Sequence, residues 1–402
     1  MSLTPPELPP VAAALAGVFD AVALETESEP AAKSTSSSAR PAGCSVFVRV
    51  RPAKQATTLD ATLAVSGATL RALAPVTSLA ARSNRNGTHE SAKDFSFTGV
   101  FDTAATQEEV YNTAFKAPVS ALFDGSGHRS VLLFCFGPSN SGKTYTVVGN
   151  EGDSRGVLVR AIEDVLACLD AADDSAEWTP ATSKVEVHFV EVHNESVYDL
   201  LAPPATGHAA RACFGANRSA GLRPKVQLRG KKLVGIKTVE VHDVAGTMAA
   251  MQSGLEQRAV SDNEINSHSS RSHSIFTLKI THRDAAVAKQ KKSSIELTVV
   301  DLAGSERTKR TASKGSVREE AANINQSLTT LMTCIRARRE TKGRAHIPFR
   351  DSMLTRILEP LLCGPAARSI MIANVSPDEG AFVEGALFMT THLTSIAPRA
   401  HT

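Results

Sequence analysis

Residues 137–144 read GPSNSGKT, which fits the spacing Gly-x-x-x-x-Gly-Lys-Thr. No other stretch constrains the fold as tightly. An apolar run at 131–136 (VLLFCF) precedes it and predicts a buried strand, and the chain continues as a helix from Tyr145. Strand, glycine loop and helix in that order are the context a phosphate-binding loop needs. Gly137 and Gly142 let backbone N–H groups close round a polyphosphate, with Pro138, Ser139, Asn140 and Ser141 between them. The helix N-terminus adds positive potential, Lys143 reaches the β and γ phosphates, and the Thr144 hydroxyl can ligate Mg²⁺. Alone, the motif also fits a chance glycine-rich turn, so the downstream sequence must decide.

Composition sets few limits. The 402 residues are 42% hydrophobic and 21% charged, which is ordinary for a globular chain. The net charge is only +3, so its distribution says more than its sum. Six cysteines (Cys44, Cys135, Cys168, Cys213, Cys334, Cys363) form no Cys-x-x-Cys pair, which suits a reducing compartment. No apolar run approaches membrane-spanning length, and the N-terminus lacks a basic n-region. The expectation is a soluble intracellular protein with no membrane partner.

In chain order, residues 1–43 are rich in Pro, Ala and Ser and predict a disordered leader. Residues 44–52 alternate, with Val46, Val48 and Val50 on one face, and predict a strand ended by Pro52. A hairpin is expected over 59–73, a loop over 80–94, and short strands near 95–101. A helix is expected from Val110 to Phe123, started at Thr106. After the glycine loop, a broken helix resumes over 156–169, and 185–192 alternates as a strand. Residues 202–224 look like a surface insertion. A basic hairpin follows over 226–241, then a helix capped by Asp243 running to Arg258. Strands at 275–281 and 295–300, helices at 319–338 and 351–362, a strand at 370–373 and a helix at 381–396 complete the chain. Alternating strands and helices give an α/β class with a mixed or mostly parallel sheet.

A phosphate loop also needs an acidic group for Mg²⁺ at the end of another strand. The run 295–300 ends in 301–306 (DLAGSE), which places Asp301 beside the loop in this fold class. Gly304 can offer its backbone N–H to a γ-phosphate, a contact that exists only before hydrolysis. The alternative is a plain helix cap after a strand. The third piece is 266–273 (NSHSSRSH), a run too dense in hydroxyls and imidazoles for a core; singly, its residues also fit a solvated loop.

Taken together these segments resemble a kinesin motor domain, from about Cys44 to Ala397. The matching stretches are VFVRVRP (46–52), the glycine loop, VEVHNESVYDLL (190–201), NSHSSRSH (266–273), DLAGSE (301–306) and NINQSL (323–328). HIPFRDS (346–352), LTR (354–356) and IANVSP (372–377) follow in family order. The resemblance implies a P-loop NTPase-type motor fold: a central, mostly parallel mixed sheet with helices on both faces and a small β-hairpin lobe. It implies ATP and ADP as the nucleotide, with Mg²⁺. Arg49 and Pro52 would flank the adenine, with Tyr145 on its other side. Ser270 would join Thr144 and Asp301 around Mg²⁺. Asn266 and Ser269 would position the attacking water. Arg271 and Glu306 would form the ion pair that locks the two switches, 266–273 and 301–306, for hydrolysis.

The resemblance also assigns the charge. Between Arg307 and Arg356 twelve Lys/Arg face four acids, a surplus of eight against +3 for the whole chain. A second stretch, 222–238, carries six basic residues and no acid. In an unknown protein either run reads as a solvated face. In a kinesin-like chain Lys309, Arg310, Lys314, Arg318, Arg336, Arg350 and Arg356, with Arg229, Lys231 and Lys232 of the hairpin, would face acidic tubulin. Few aromatics interleave with these runs, which argues against nucleic acid as the partner. Met353 stands where kinesins usually carry a lysine. The segment 384–397 fits the family pattern poorly and is most similar to the kinesin-6 group. Residues 398–402 would begin a neck linker, and no coiled coil is present. The expectation is therefore a monomeric fragment on cytoplasmic microtubules, with a spindle role under the kinesin-6 resemblance and any dimerisation outside this chain. The alternatives to a motor are a nucleotide-regulated microtubule-binding or depolymerising module and, more remotely, a non-motor P-loop ATPase.

Overall fold

The computed structural model describes residues 44–52, 63–73, 92–173, 176–203, 224–260, 268–284, 286–287, 294–305, 316–341 and 346–377. The expected leader, most of the surface insertion, the helix at 381–396 and the final residues 398–402 lie outside them.

The chain opens with β1 (Ser45–Val50), β2 (Leu63–Ser66), β3 (Thr69–Leu73), β4 (Ala92–Ser96) and β5 (Gly99–Phe101). Two short helices follow, α1 (Gln107–Ala114) and α2 (Lys116–Ser120), then β6 (Ser130–Phe136), α3 (Lys143–Val147) and α4 (Val157–Asp170). Next come β7 (Ser183–His193), β8 (Ser196–Asp199), β9 (Lys225–Arg229), β10 (Lys232–Val234), β11 (Val239–Glu240) and α5 (Val244–Val260). The last described elements are β12 (His273–His282), β13 (Ser294–Asp301), α6 (Ser316–Thr341), α7 (Met353–Cys363) and β14 (Ala367–Val375).

One large mixed sheet runs β10-β9-β8-β7-β12-β13-β6-β14-β1-β5, with β11 also on β7. From β13 to β5 every pairing is parallel, and this is the half that carries the glycine loop. From β13 outward to β10 the pairings are antiparallel. A separate small antiparallel sheet joins β2, β3 and β4.

Period-two alternation splits the core into two layers. In β6, Val131, Leu133 and Cys135 face a layer with Val110, Ile162 and Met251 of α1, α4 and α5. Leu132, Phe134 and Phe136 face the other layer, with Leu328 and Leu331 of α6 and Leu354 and Leu358 of α7. Val46, Val48 and Val50 of β1 share that second layer, as their alternation predicts. Helices therefore cover both faces of a sheet whose central strands are apolar on both sides.

Two expectations change. The helix expected over 110–123 is two pieces, broken at Phe115, whose φ is −123°. Pro118 accounts for the break: it lacks an N–H, and its ring would strike the Ala114 carbonyl in a continuous helix. The end of the loop expected over 80–94 is strand, since Lys93 and Asp94 of β4 pair with β3. Among the described residues no helix is long and apolar enough to cross a membrane.

Candidate functional site

The glycine loop leaves β6 and enters α3 at the C-terminal edge of the parallel strands, where open α/β sheets place their ligands. Gly137 has φ +154°, and a Cβ there would lie 2.3 Å from the Asn374 carbonyl oxygen at the end of β14. Gly142 has φ +96° and starts α3. Only glycine meets both demands cheaply, so these two positions follow from the path of the chain. Asn140 also takes a left-handed φ of 63°, which asparagine tolerates. The Ser141 hydroxyl donates to the Pro138 carbonyl at 2.8 Å and braces the arch.

Lys143 is buried, and its ammonium donates to the carbonyls of Gly137 and Pro138, each at 2.9 Å. These are the loop's own acceptors; a polyphosphate in the loop would compete for the same cation. The Thr144 hydroxyl donates to Asp301 Oδ2 at 2.9 Å. Asp301 is the last residue of β13, in register with Cys135 of β6, which brings it opposite the start of the loop. Its other oxygen, Oδ1, is buried with no hydrogen-bond partner among the described residues. A hard divalent cation wants oxygen donors of this kind, so Thr144 and Asp301 fit Mg²⁺.

The 301–305 segment joins the loop to the first switch segment. Gly304 N–H donates to the Ser270 carbonyl at 2.8 Å, and Ser305 N–H donates to the Gly137 carbonyl at 3.1 Å. Loop, 268–272 and 301–305 thus meet within single hydrogen bonds. Arg271 is half-buried beside them. Asn266, Glu306 and the side chain of Ser269 lie outside the described residues.

On the nucleoside side, Arg49 is only 7% exposed while Tyr145 is 43% exposed. Arg49 donates to Gln107 Oε1 at 2.6 Å, to Thr146 Oγ1 at 3.1 Å and to the Ala105 carbonyl at 3.3 Å. Its guanidinium carbon lies 5.3 Å from the centre of the Tyr145 ring. Burial lowers its pKa from the ordinary value. Arg49 therefore supports Tyr145 from within, leaving Tyr145 and Pro52 as the exposed candidates for a base to pack on.

Three contributors escaped the sequence reading. Arg258, near the end of α5, donates to Ser274 Oγ at 3.1 Å and to the Ser272 carbonyl at 3.1 Å. It lies 3.5 Å from Asp301 Oδ2 and 3.7 Å from Glu191 Oε1, while Ser272 donates to Glu191 at 2.6 Å. Gln107 bridges Arg49 to the Tyr145 carbonyl at 2.6 Å. Asn374 donates to Thr146 Oγ1 at 2.8 Å and ties β14 to α3. Only a residue pattern spanning distant segments marks them; Glu191 and Asn374 fall inside the family motifs, Arg258 and Gln107 outside them.

The basic residues fall on the second core layer. Arg336 and Arg350 are exposed and Arg356 is half-buried on α6, the turn before α7, and α7. Arg229, Lys231 and Lys232 are exposed on the β9–β10 hairpin, and Lys231 pairs with Glu359 of α7 at 2.9 Å. Leu233 and Ile236 pack the hairpin region onto the same layer. Met353 packs there too, and its N–H donates to Glu195 at 2.5 Å. Lys309, Arg310, Lys314 and the Arg318 side chain lie outside the described residues.

The sequence profile of the kinesin motor domain matches residues 49–389. A kinesin heavy chain of Gibberella moniliformis is 32% identical over 291 residues, 72% of this chain and 29% of that protein. The kinesin-like protein KIN-8A of Arabidopsis thaliana is 33% identical over 293 residues, 73% of this chain and 37% of that protein. The chain thus spans about a third of the length of these relatives. A solved structure of a fast kinesin superposes with a TM-score of 0.65 at 27% identity, covering 90% of this chain and 95% of that one. A structure titled kinesin 6 gives a TM-score of 0.65 at 25% identity, covering 87% of this chain and 98% of that one. The chain belongs to the kinesin motor domain family and has its fold.

Proposed function

We propose that residues 44–397 form a motor domain that hydrolyses ATP in the pocket between the glycine loop and the two switches, and uses the γ-phosphate to set its grip on a microtubule. The observation that carries this reading is the convergence of three segments: Thr144 on Asp301, Gly304 on Ser270 and Ser305 on Gly137. Lys143 exchanges its two loop carbonyls for the β and γ phosphates. Thr144 and Asp301, with Ser270, are the residues that would hold Mg²⁺, which would supply neutralising charge to the phosphates. Asn266 and Ser269 hold the attacking water in line, and Glu306 orients it while paired to Arg271. Such a site works by positioning and charge more than by a strong base.

Gly304 reads the phosphate by competition. Its N–H is held by the Ser270 carbonyl, and a γ-phosphate oxygen takes it away. The basic surface on α6, α7 and the β9–β10 hairpin is the microtubule face, and the domain acts there as a monomer on the microtubule cytoskeleton. Membership of the kinesin-6 group, a spindle location and dimerisation through a segment outside this chain extend the reading to the whole protein.

Glu306→Ala tests the assignment. It should bind ATP with near-normal affinity and lose at least about 100-fold in microtubule-stimulated turnover, the range expected for a group that positions charge in the transition state. Turnover within twofold of wild type would overturn it.

A further inference from the structure

We propose that His273 is the positioning residue that carries movement of the second switch to α6, through Ser327; this rests on the motor reading above. His273 is the first residue of β12 and is 3% exposed. Its Nδ1 accepts the backbone N–H of Ala303 at 3.0 Å, one residue before the phosphate-sensing Gly304. Its Nε2 lies 2.9 Å from Ser327 Oγ, in the middle of α6. The Ser327 hydroxyl donates in turn to the Ile324 carbonyl at 2.8 Å.

Every proton in this chain has one place. A backbone N–H only donates, so Nδ1 is the unprotonated nitrogen and the neutral ring carries its proton on Nε2. Ser327 Oγ accepts that proton, because its own hydrogen is committed to Ile324. A doubly protonated ring would set two N–H groups against each other at Ala303. Burial, with Arg258, Lys143 and His193 nearby, holds the ring neutral.

The geometry makes a rigid link. Ala303, His273 and Ser327 are all buried, so no water can substitute for a broken contact. The apolar contacts of Leu302 and Leu328 in the same layer can slide, but a planar ring bonded at both nitrogens cannot. When Gly304 leaves the Ser270 carbonyl for a phosphate, the Ala303–Gly304 peptide turns. His273 must then follow or release, and α6 receives the difference at Ser327.

Ser327→Ala tests this without touching the ATP pocket. Hydrogen exchange of the full chain is measured with ADP and with a non-hydrolysable ATP analogue, alongside basal and microtubule-stimulated ATPase. In wild type the nucleotide should change protection at both 301–305 and α6. In Ser327→Ala the change at 301–305 should persist, the change at α6 should vanish, and microtubule stimulation should fall about tenfold at unchanged basal rate, a typical coupling between sites. Ser327→Thr, which keeps the hydroxyl, should restore both. Equal α6 responses in wild type and Ser327→Ala, or a wild-type α6 blind to nucleotide, would overturn the proposal. A wild-type α6 response without microtubule stimulation would sink the motor reading and leave the link standing.

Discussion

Arg258 shows how much of this pocket is decided one residue at a time. Its guanidinium sits between two buried carboxylates, Glu191 and Asp301, in a volume that excludes water. Removing one member of such a group strands the others, at a cost of about 3–5 kcal/mol. Arg258→Ala should therefore lower the unfolding free energy by that amount in urea titration, and a loss under 1 kcal/mol would contradict the network. His273 makes a second residue-scale prediction. Burial holds its pKa down to about 3, against roughly 6.5 when unfolded. The unfolded chain therefore binds the extra proton, and the stability His273 contributes is complete above pH 6.5 and lost as the pH falls toward 3. Between pH 7 and pH 5 the wild type should lose about 2 kcal/mol more than His273→Gln. Equal losses would place a charged or exposed ring at this position. The glycine loop was legible from its spacing and Asp301 from its place at a strand end, while Ser270 entered only through the family resemblance. Arg258 was not: its partners Glu191 and Asp301 lie 67 and 43 positions away, and no local pattern marks an arginine that turns inward from a helix end.

Among elements, the turn between β7 and β8 does more than reverse the chain. Asn194 and Glu195 have φ values of 48° and 54°, the left-handed pair of a two-residue hairpin. The turn reaches both helices of the second layer: Asn323 of α6 donates to Asn194, and the N–H of Met353 at the start of α7 donates to Glu195. A glutamate in left-handed backbone costs about 1 kcal/mol relative to glycine. Glu195→Ala and Glu195→Gly both remove the carboxylate, so their difference isolates the backbone. Glu195→Gly should be the more stable by about 1 kcal/mol in chemical denaturation, and the reverse order would refute the left-handed assignment. β1 and β7 were readable from their alternation, and β6 from its continuous apolar run. The break at Phe115 was missed because Thr106 and the acids after it signalled a start, while Pro118 acts on a carbonyl four residues earlier, a contact that a start signal hides.

At the scale of the whole molecule, several exposed basic residues gather on one face among the described residues. Arg336, Arg350, Lys231 and Lys232 share the side covered by α6 and α7, although the chain as a whole carries only +3. Contacts made by exposed charges are screened beyond roughly 8 Å at physiological salt. Raising salt from about 50 to about 200 mM should weaken microtubule binding on the order of tenfold, as read by cosedimentation, through a loss of electrostatic attraction. Binding that ignores salt would move the interface off this face. The motifs gave the family and the position of the pocket. The strand order was not readable, because which strands become neighbours depends on crossovers that cover the apolar faces, and composition does not encode them.

The position of β14 has a consequence for how the protein is made. β14 lies between β6 and β1 in the sheet, and its register with β1 joins Ser45 to Ile370. Just past these strands, Arg51 bonds Ser376 across a separation of 325 residues. At about 5–20 residues per second, a ribosome needs roughly 16–65 seconds to cover that distance. Through that interval β1 has an open edge where β14 belongs, and Asn374 has yet to tie the sheet to α3. The nascent chain must hold the β1–β5 pair apart from the rest of the sheet until β14 emerges, so a chaperone that shields strand edges should raise the yield of nucleotide-competent protein more than it speeds any later step.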